Sequence, residues 1–173
     1  MRAGPTDRAS EASFAEFTRT RWSRLVRLAY GLTLDVGKAE DLVQESLAKL
    51  WFQWPKVRDG APEAYVRRTI VNGAISASRR RWRGEEPRWE LPDLPEPRSD
   101  TDGVAERDFL RRELAALTVT QRAVVVLRYA EDMSERQVAE LLGISAGSVK
   151  THAFRGLARL RGAAGTPAEE VPR

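Results

Sequence analysis

Residues 134–160, SERQVAELLGISAGSVKTHAFRGLARL, carry two helix starts and a turn within one short span. Ser134 and Gln137 have the spacing of a capping box, in which the two side chains satisfy orphan amides at a helix start. Gly143 suits the left-handed residue that ends such a helix. The chain turns through Ile144, and Ser145 can cap a second helix running to about Arg161. Ala139 is small where the two helices must approach closely. Val138, Leu142, Ile144, Val149, Ala153, Leu157 and Leu160 supply a shared core, so the pattern is that of a helix-turn-helix. Gly147, Ser148, Lys150, Thr151, Phe154 and Arg155 fall near the exposed face of the second helix. The first turns of such a helix enter a major groove, where Ser, Lys and Arg meet base edges and phosphates. His152 adjoins that face and is either a base or phosphate contact or a packing residue. A helical hairpin packed for structure alone is the competing reading. The caps, the turn glycine, the small contact residue and the basic second helix together favour DNA binding.

Upstream, Thr118 and Gln121 repeat the capping-box spacing and open a helix to about Ala130. The Ala123–Leu127 run has strand propensity, but no partner strand is evident. Val104–Leu117 reads as one amphipathic helix. Before it, Pro87, Pro92, Pro95 and Pro97 stand among acidic residues with little apolar periodicity. Proline removes backbone donors and biases its predecessor away from helix, so this stretch is expected to be an extended linker.

The first block reads as three helices. Ser13 to about Leu34 places Phe14, Phe17, Leu25, Leu28 and Leu32 near one stripe. Lys38–Trp54 does so with Val43, Leu47, Leu50, Trp51 and Trp54, and is expected to stop before Pro55. Pro62 suits a first helical turn, and Glu63–Arg83 follows with Val66, Ile70, Ala74 and Ile75 inward. The third helix carries Arg67, Arg68 and Asn72, then Arg79, Arg80, Arg81, Trp82 and Arg83. Arginines bind phosphates, the Asn72 amide can pair with a base edge, and Tyr65 and Trp82 offer faces for stacking. Arg79–Arg83 also has a plainer role as a solvated helix end that favours positive charge, and Trp82 as packing. On the second helix Glu40, Asp41, Gln44, Glu45 and Lys49 lie opposite the apolar stripe, as a solvated face or a docking site for a basic protein.

Charge follows the same division. Residues 1–83 hold 16 basic and 9 acidic side chains, residues 84–108 hold 3 and 9, and residues 109–173 hold 10 and 7. Two basic blocks therefore flank an acidic spacer, and basic blocks attract polyanions. The 173 residues suffice for one medium or two small domains. With no cysteine, disulfides, thiolate zinc sites and cysteine nucleophiles are excluded, and a single histidine argues against a His-based metal cage or triad. No cofactor is expected. No apolar run approaches the roughly 20 residues that span a bilayer, and no secretory signal is visible, so a cytoplasmic protein is expected.

KAEDLVQESLAKLW (38–51) and AYVRRTIVN (64–72) resemble region 2 of bacterial sigma-70-type factors. Residues 117–161, with AELLGIS (139–145) and SVKT (148–151), resemble their region 4. With these two regions alone the chain is similar to the extracytoplasmic-function (ECF) group, and most like its actinobacterial SigE-type members. The resemblance implies an all-α protein of two small helical domains joined by a flexible acidic, proline-rich linker. Region 2 then spans 12–83, the linker 84–104, region 4 105–161, and a disordered tail 162–173. It implies a non-enzymatic partner of core RNA polymerase that confers promoter specificity. Asp41, Gln44 and Glu45 would dock on the β′ clamp helices, with the β subunit as a further contact. Tyr65, Arg68, Asn72, Arg79 and Arg80 would bind the −10 DNA, with the Lys56–Ala61 loop near a flipped base. Ser148, Lys150, Thr151, His152 and Arg155 would read the −35 element. An anti-sigma factor is a common further partner in the family.

Where many relatives carry Ser-Arg-Leu after the Val-Lys pair, this chain has Thr151, His152 and Ala153, a departure that bears on the −35 contacts. Two other readings compete. A stand-alone helix-turn-helix repressor or activator would not need the acidic face or the arginine-rich helix of the first block. A nucleic-acid enzyme would need convergent carboxylates, whereas only Asp41 and Glu45 share a helix face.

Overall fold

The computed structural model describes residues 5–82 and 101–163, and every regular element among them is helical. The chain divides into two compact units, Met1–Ala74 and Ile75–Arg173. Most of the expected linker and tail lies outside the described residues.

The first unit opens with α1 (Pro5–Thr33). It begins well ahead of Ser13, because Pro5 is harmless at a first helical turn and no breaker follows it. Leu34 then takes a left-handed conformation at φ 58°, and Asp35 caps α2 (Val36–Val57) by accepting the Lys38 amide at 2.9 Å. α2 packs along α1. Ala39, Val43, Leu47, Leu50 and Trp54 are its buried stripe, and each large aliphatic side chain so buried contributes about 1.5–3 kcal/mol.

The expected stop before Pro55 is corrected by the structure, which carries the helix through it. Proline deletes one backbone donor, but Arg58 N–H still reaches the Trp54 carbonyl at 3.0 Å. Trp54 is held in helical geometry from outside. Its ring lies 5.1 Å from Phe14 and 5.3 Å from Phe17, and its indole N–H donates to Ser13 Oγ at 3.0 Å. Tertiary packing thus outweighs the local bias against helix before proline.

α3 (Pro62–Trp82) begins where expected, and the division between the two units falls within it, after Ala74. Val66, Ile70, Val71 and Ala74 are buried along it. Glu63 in its first turn pairs with Arg21 at 3.2 Å and Arg24 at 2.8 Å, both on α1.

In the second unit α4 (Thr101–Ala116) leads to α5 (Val119–Val125). Thr118 and Gln121 form the reciprocal box, each bond 3.2 Å. Ala123–Leu127 is buried and helical rather than extended. Past Val125 the helix widens into a π turn, Val126–Ala130, with Glu131 N–H bonded to the Val126 carbonyl at 3.1 Å. Arg128 closes the exit by donating to the Met133 carbonyl.

α6 (Glu135–Leu142) and α7 (Ala146–Ala163) form the helix-turn-helix. Gly143 ends α6 at φ 66°, a conformation open to glycine without a Cβ penalty. Val138, Val149 and Ala153 are buried between neighbours. A Cβ on Gly156 would lie 2.7 Å from Val125 Cγ2, so α7 approaches α5 to a distance only glycine permits.

Candidate nucleic-acid interface

α7 is aimed by its cap. Ser145 Oγ accepts the Ser148 amide at 3.0 Å and meets Ser148 Oγ at 2.9 Å, fixing the first turn. Val149, Ala153 and Gly156 face inward. At 3.6 residues per turn the opposite side carries Gly147, Thr151, Phe154, Arg155 and Ala158, all exposed. Phe154 stands out at 69% exposure. Thr151, exposed, donates its Oγ1 hydrogen to the Gly147 carbonyl at 3.0 Å. Arg155 has no ion-pair partner among the described residues.

Three of the expected contacts stand differently. Lys150 sits on the edge toward α6 and reaches Glu135 at 3.7 Å, so its charge is shared before any ligand arrives. Ser148 is half-buried in the cap. His152 is half-buried on the other edge, with Nδ1 buried and without a hydrogen-bond partner. Residues Thr151, Phe154 and Arg155 are therefore the centre of the face. Phe154, expected near the exposed face from its spacing, stands there, although it was not among the residues expected to contact DNA.

A second face runs along α3. Tyr65, Arg68, Asn72 and Arg79 recur at helical spacing opposite the buried Val66, Ile70 and Ala74; Arg68, Asn72 and Arg79 are exposed and Tyr65 is half-buried. Arg80 is exposed beside Arg79. Arg67 lies off this face and reaches Glu63 at 3.3 Å, so it joins the α1–α3 ion-pair cluster. A row of guanidinium groups with a carboxamide and a phenol suits a strand of phosphates and the bases it carries.

A third surface lies on α2, where Asp41, Gln44 and Glu45 are all exposed opposite Val43, Leu47 and Leu50. Phe52 lies on the same side at 79% exposure, a large apolar residue that falls off the buried stripe. Among the described residues no group of three His, Cys, Asp or Glu side chains is set to hold a metal ion. No described helix is long and apolar enough to cross a membrane.

Known proteins give this geometry its context. The family described as "Sigma-70 region 2" matches residues 19–84, and "Sigma-70, region 4" matches residues 109–160. The RNA polymerase sigma-E factor of Streptomyces coelicolor is 40% identical over 86% of this chain and 84% of its own length. The chain belongs to the sigma-70 family of RNA polymerase sigma factors, in the ECF group. The ECF sigma factor SigL of Mycobacterium tuberculosis is 31% identical over 79% of the chain and 80% of its own length. Among solved structures, the sigma factor RpoE in complex with the anti-sigma factor NepR from Bartonella quintana shares the fold with a TM-score of 0.71. That likeness covers 90% of this chain and 98% of that one at 24% identity. CnrH, solved with the cytosolic domain of CnrY, gives 0.62 at 19% identity, over 90% of this chain and 89% of that one. In this sigma factor the α7 face falls within region 4, and the α2 surface within region 2, as does the α3 face.

Proposed function

We propose that this sigma factor binds core RNA polymerase and directs it to promoters by reading a −35 element with α7 and opening a −10 element with α3. The observation that carries the reading is the pair of outward faces, Thr151–Phe154–Arg155 on α7 and Tyr65–Arg68–Asn72–Arg79 on α3, each on a helix fixed by a buried opposite side. Ser148, Lys150 and His152 flank the first face, and Arg80 the second. The domain limits proposed with this function are 12–83 for opening, 84–104 for the tether, whose last residues lie in the first turn of α4, and 105–161 for reading.

Opening DNA costs a few kcal/mol per extruded base, which phosphate contacts and capture of the base offset. Asp41, Gln44 and Glu45 supply a polar, acidic surface for a basic helical partner, the β′ clamp helices of polymerase. The covalent chemistry belongs to the polymerase, and the working compartment is the cytoplasm where that enzyme acts. An anti-sigma factor is part of the same proposal, because the RpoE relative is solved with one.

The test is transcription in vitro with core polymerase and fragments carrying start sites lost on deletion of the gene. Initiation that requires both the protein and core supports the reading. Tight duplex binding by the protein alone, with no transcripts, overturns it in favour of a stand-alone regulator.

A further inference from the structure

The outer face of α2 carries two opposed chemistries. Its first half holds Asp41, Gln44 and Glu45. In its second half Phe52 is 79% exposed, with Lys49 three residues before it and Lys56 four residues after it, both exposed. These spacings set one ammonium group a turn to either side of the ring. Neither lysine has a carboxylate partner among the described residues. Glu45 lies seven residues from Phe52, about 10 Å along the axis, and Asp59 is paired with Arg58 at 3.5 Å.

The core does not account for this ring. Leu47, Leu50 and Trp54 already fill the inward side, and neighbouring Trp51 rests on Phe14 at 5.0 Å. A partner protein basic enough to meet Asp41 and Glu45 would be repelled by Lys49 and Lys56. A polyanion that carries flat bases matches the second half on both counts: a base stacks on the ring while the flanking phosphates meet the ammonium groups. We propose that Phe52, Lys49 and Lys56 form a single-strand subsite on α2, where an unpaired base of the opened promoter stacks on Phe52. This rests on the reading of the first unit as one that opens DNA. It extends the single-strand path from the Lys56–Ala61 segment, expected near a flipped base, back along α2 to Phe52 and Lys49, a place beyond the α3 face.

The experiment uses holoenzyme assembled from core polymerase and the full chain. Its binding is measured on a mapped promoter fragment, once fully duplex and once with the −10 region held unpaired by mismatches. Phe52→Ala should weaken binding to the unpaired fragment by about tenfold, and Phe52→Trp should restore it. Lys49→Ala with Lys56→Ala should make the slope of log K against log salt shallower by about 1.4, the value for two single-strand phosphates. Thermal melting of each variant should match the parent, since the altered side chains are exposed. Equal binding of Phe52→Ala and the parent to the unpaired fragment overturns the subsite. So does a loss of core polymerase affinity by Phe52→Ala without DNA, which would assign the ring to the protein interface. Failure of the parent holoenzyme to prefer the unpaired fragment would instead overturn the DNA-opening reading itself.

Discussion

Ser134 and Gln137 close the start of the helix-turn-helix on each other: the Ser134 hydroxyl accepts the Gln137 amide at 3.2 Å, and the Gln137 side chain accepts the Ser134 amide at 2.8 Å. Two orphan donors of α6 are thereby satisfied from within four residues. Ser134→Ala removes one bond and loosens the other, at a cost of about 1 kcal/mol. Melting of the second unit, followed by circular dichroism on the full chain, should fall by roughly 4–8 °C. An unshifted transition would show that packing against α7, not the cap, sets the start of α6.

Glu63 works at longer range. It joins α3 to α1 through Arg21 and Arg24, with Arg67 as a third guanidinium on the same carboxylate. The arginine side chains of α1 are 46% and 44% exposed, so solvent screens the pairs and Glu63→Gln should cost only about 0.5–1 kcal/mol. The cost should fade between 0.05 and 1 M salt in urea titrations. A salt-independent loss would mean that the carboxamide disturbs packing instead.

Close approach, rather than charge, governs Gly156. Val125 Cγ2 would stand 2.7 Å from a Cβ there, and Val125 is buried and stiff about χ1. Gly156→Leu forces α7 away from α5 and should destabilise the second unit by about 1–3 kcal/mol or more. Promoter binding should fall with it, since the outward face of α7 rotates as its inward face is lifted. Unchanged stability in denaturant titration would contradict the contact.

Asp41 tests the polymerase surface. It is exposed and has no hydrogen bond or ion pair among the described residues, so Asp41→Arg should leave the melting curve in place. Placing a cation against a basic partner costs several kcal/mol, and affinity for core polymerase should drop about a hundredfold or more. Equal affinity in a fluorescence titration would remove the docking assignment.

What the sequence made legible depended on how far each cause reaches. Both capping boxes, Gly143 and Pro62 act through neighbours within four residues, and each stands where the pattern puts it. Pro55 was misleading because Trp54 is held by Phe14, Phe17 and Ser13, forty residues away in sequence. The π turn at Val126–Ala130 likewise has no local mark beyond a run of valines. Side-chain destinations were the least legible of all. Lys150 turns to Glu135 on another helix and His152 lies partly inward, which spacing along α7 does not reveal, whereas the turn of Arg67 to Glu63 follows the four-residue spacing of a helix.

Those destinations separate two cations that composition treats alike. Arg155 stands on the outward side of α7 without an ion-pair partner among the described residues, so it is available to a phosphate. Arg155→Ala should weaken promoter binding by holoenzyme and make the salt slope shallower by about 0.9, the value for one duplex phosphate. Lys150 must first leave Glu135, a pair whose side chains are 69% and 36% exposed. Glu135→Gln frees it, and promoter affinity should rise by up to about fivefold, the upper range for a surface pair. The gain should vanish in the Glu135→Gln, Lys150→Ala double variant, because the freed charge is then absent. A gain that survives in the double variant would show that Glu135 repels the DNA directly rather than by holding Lys150.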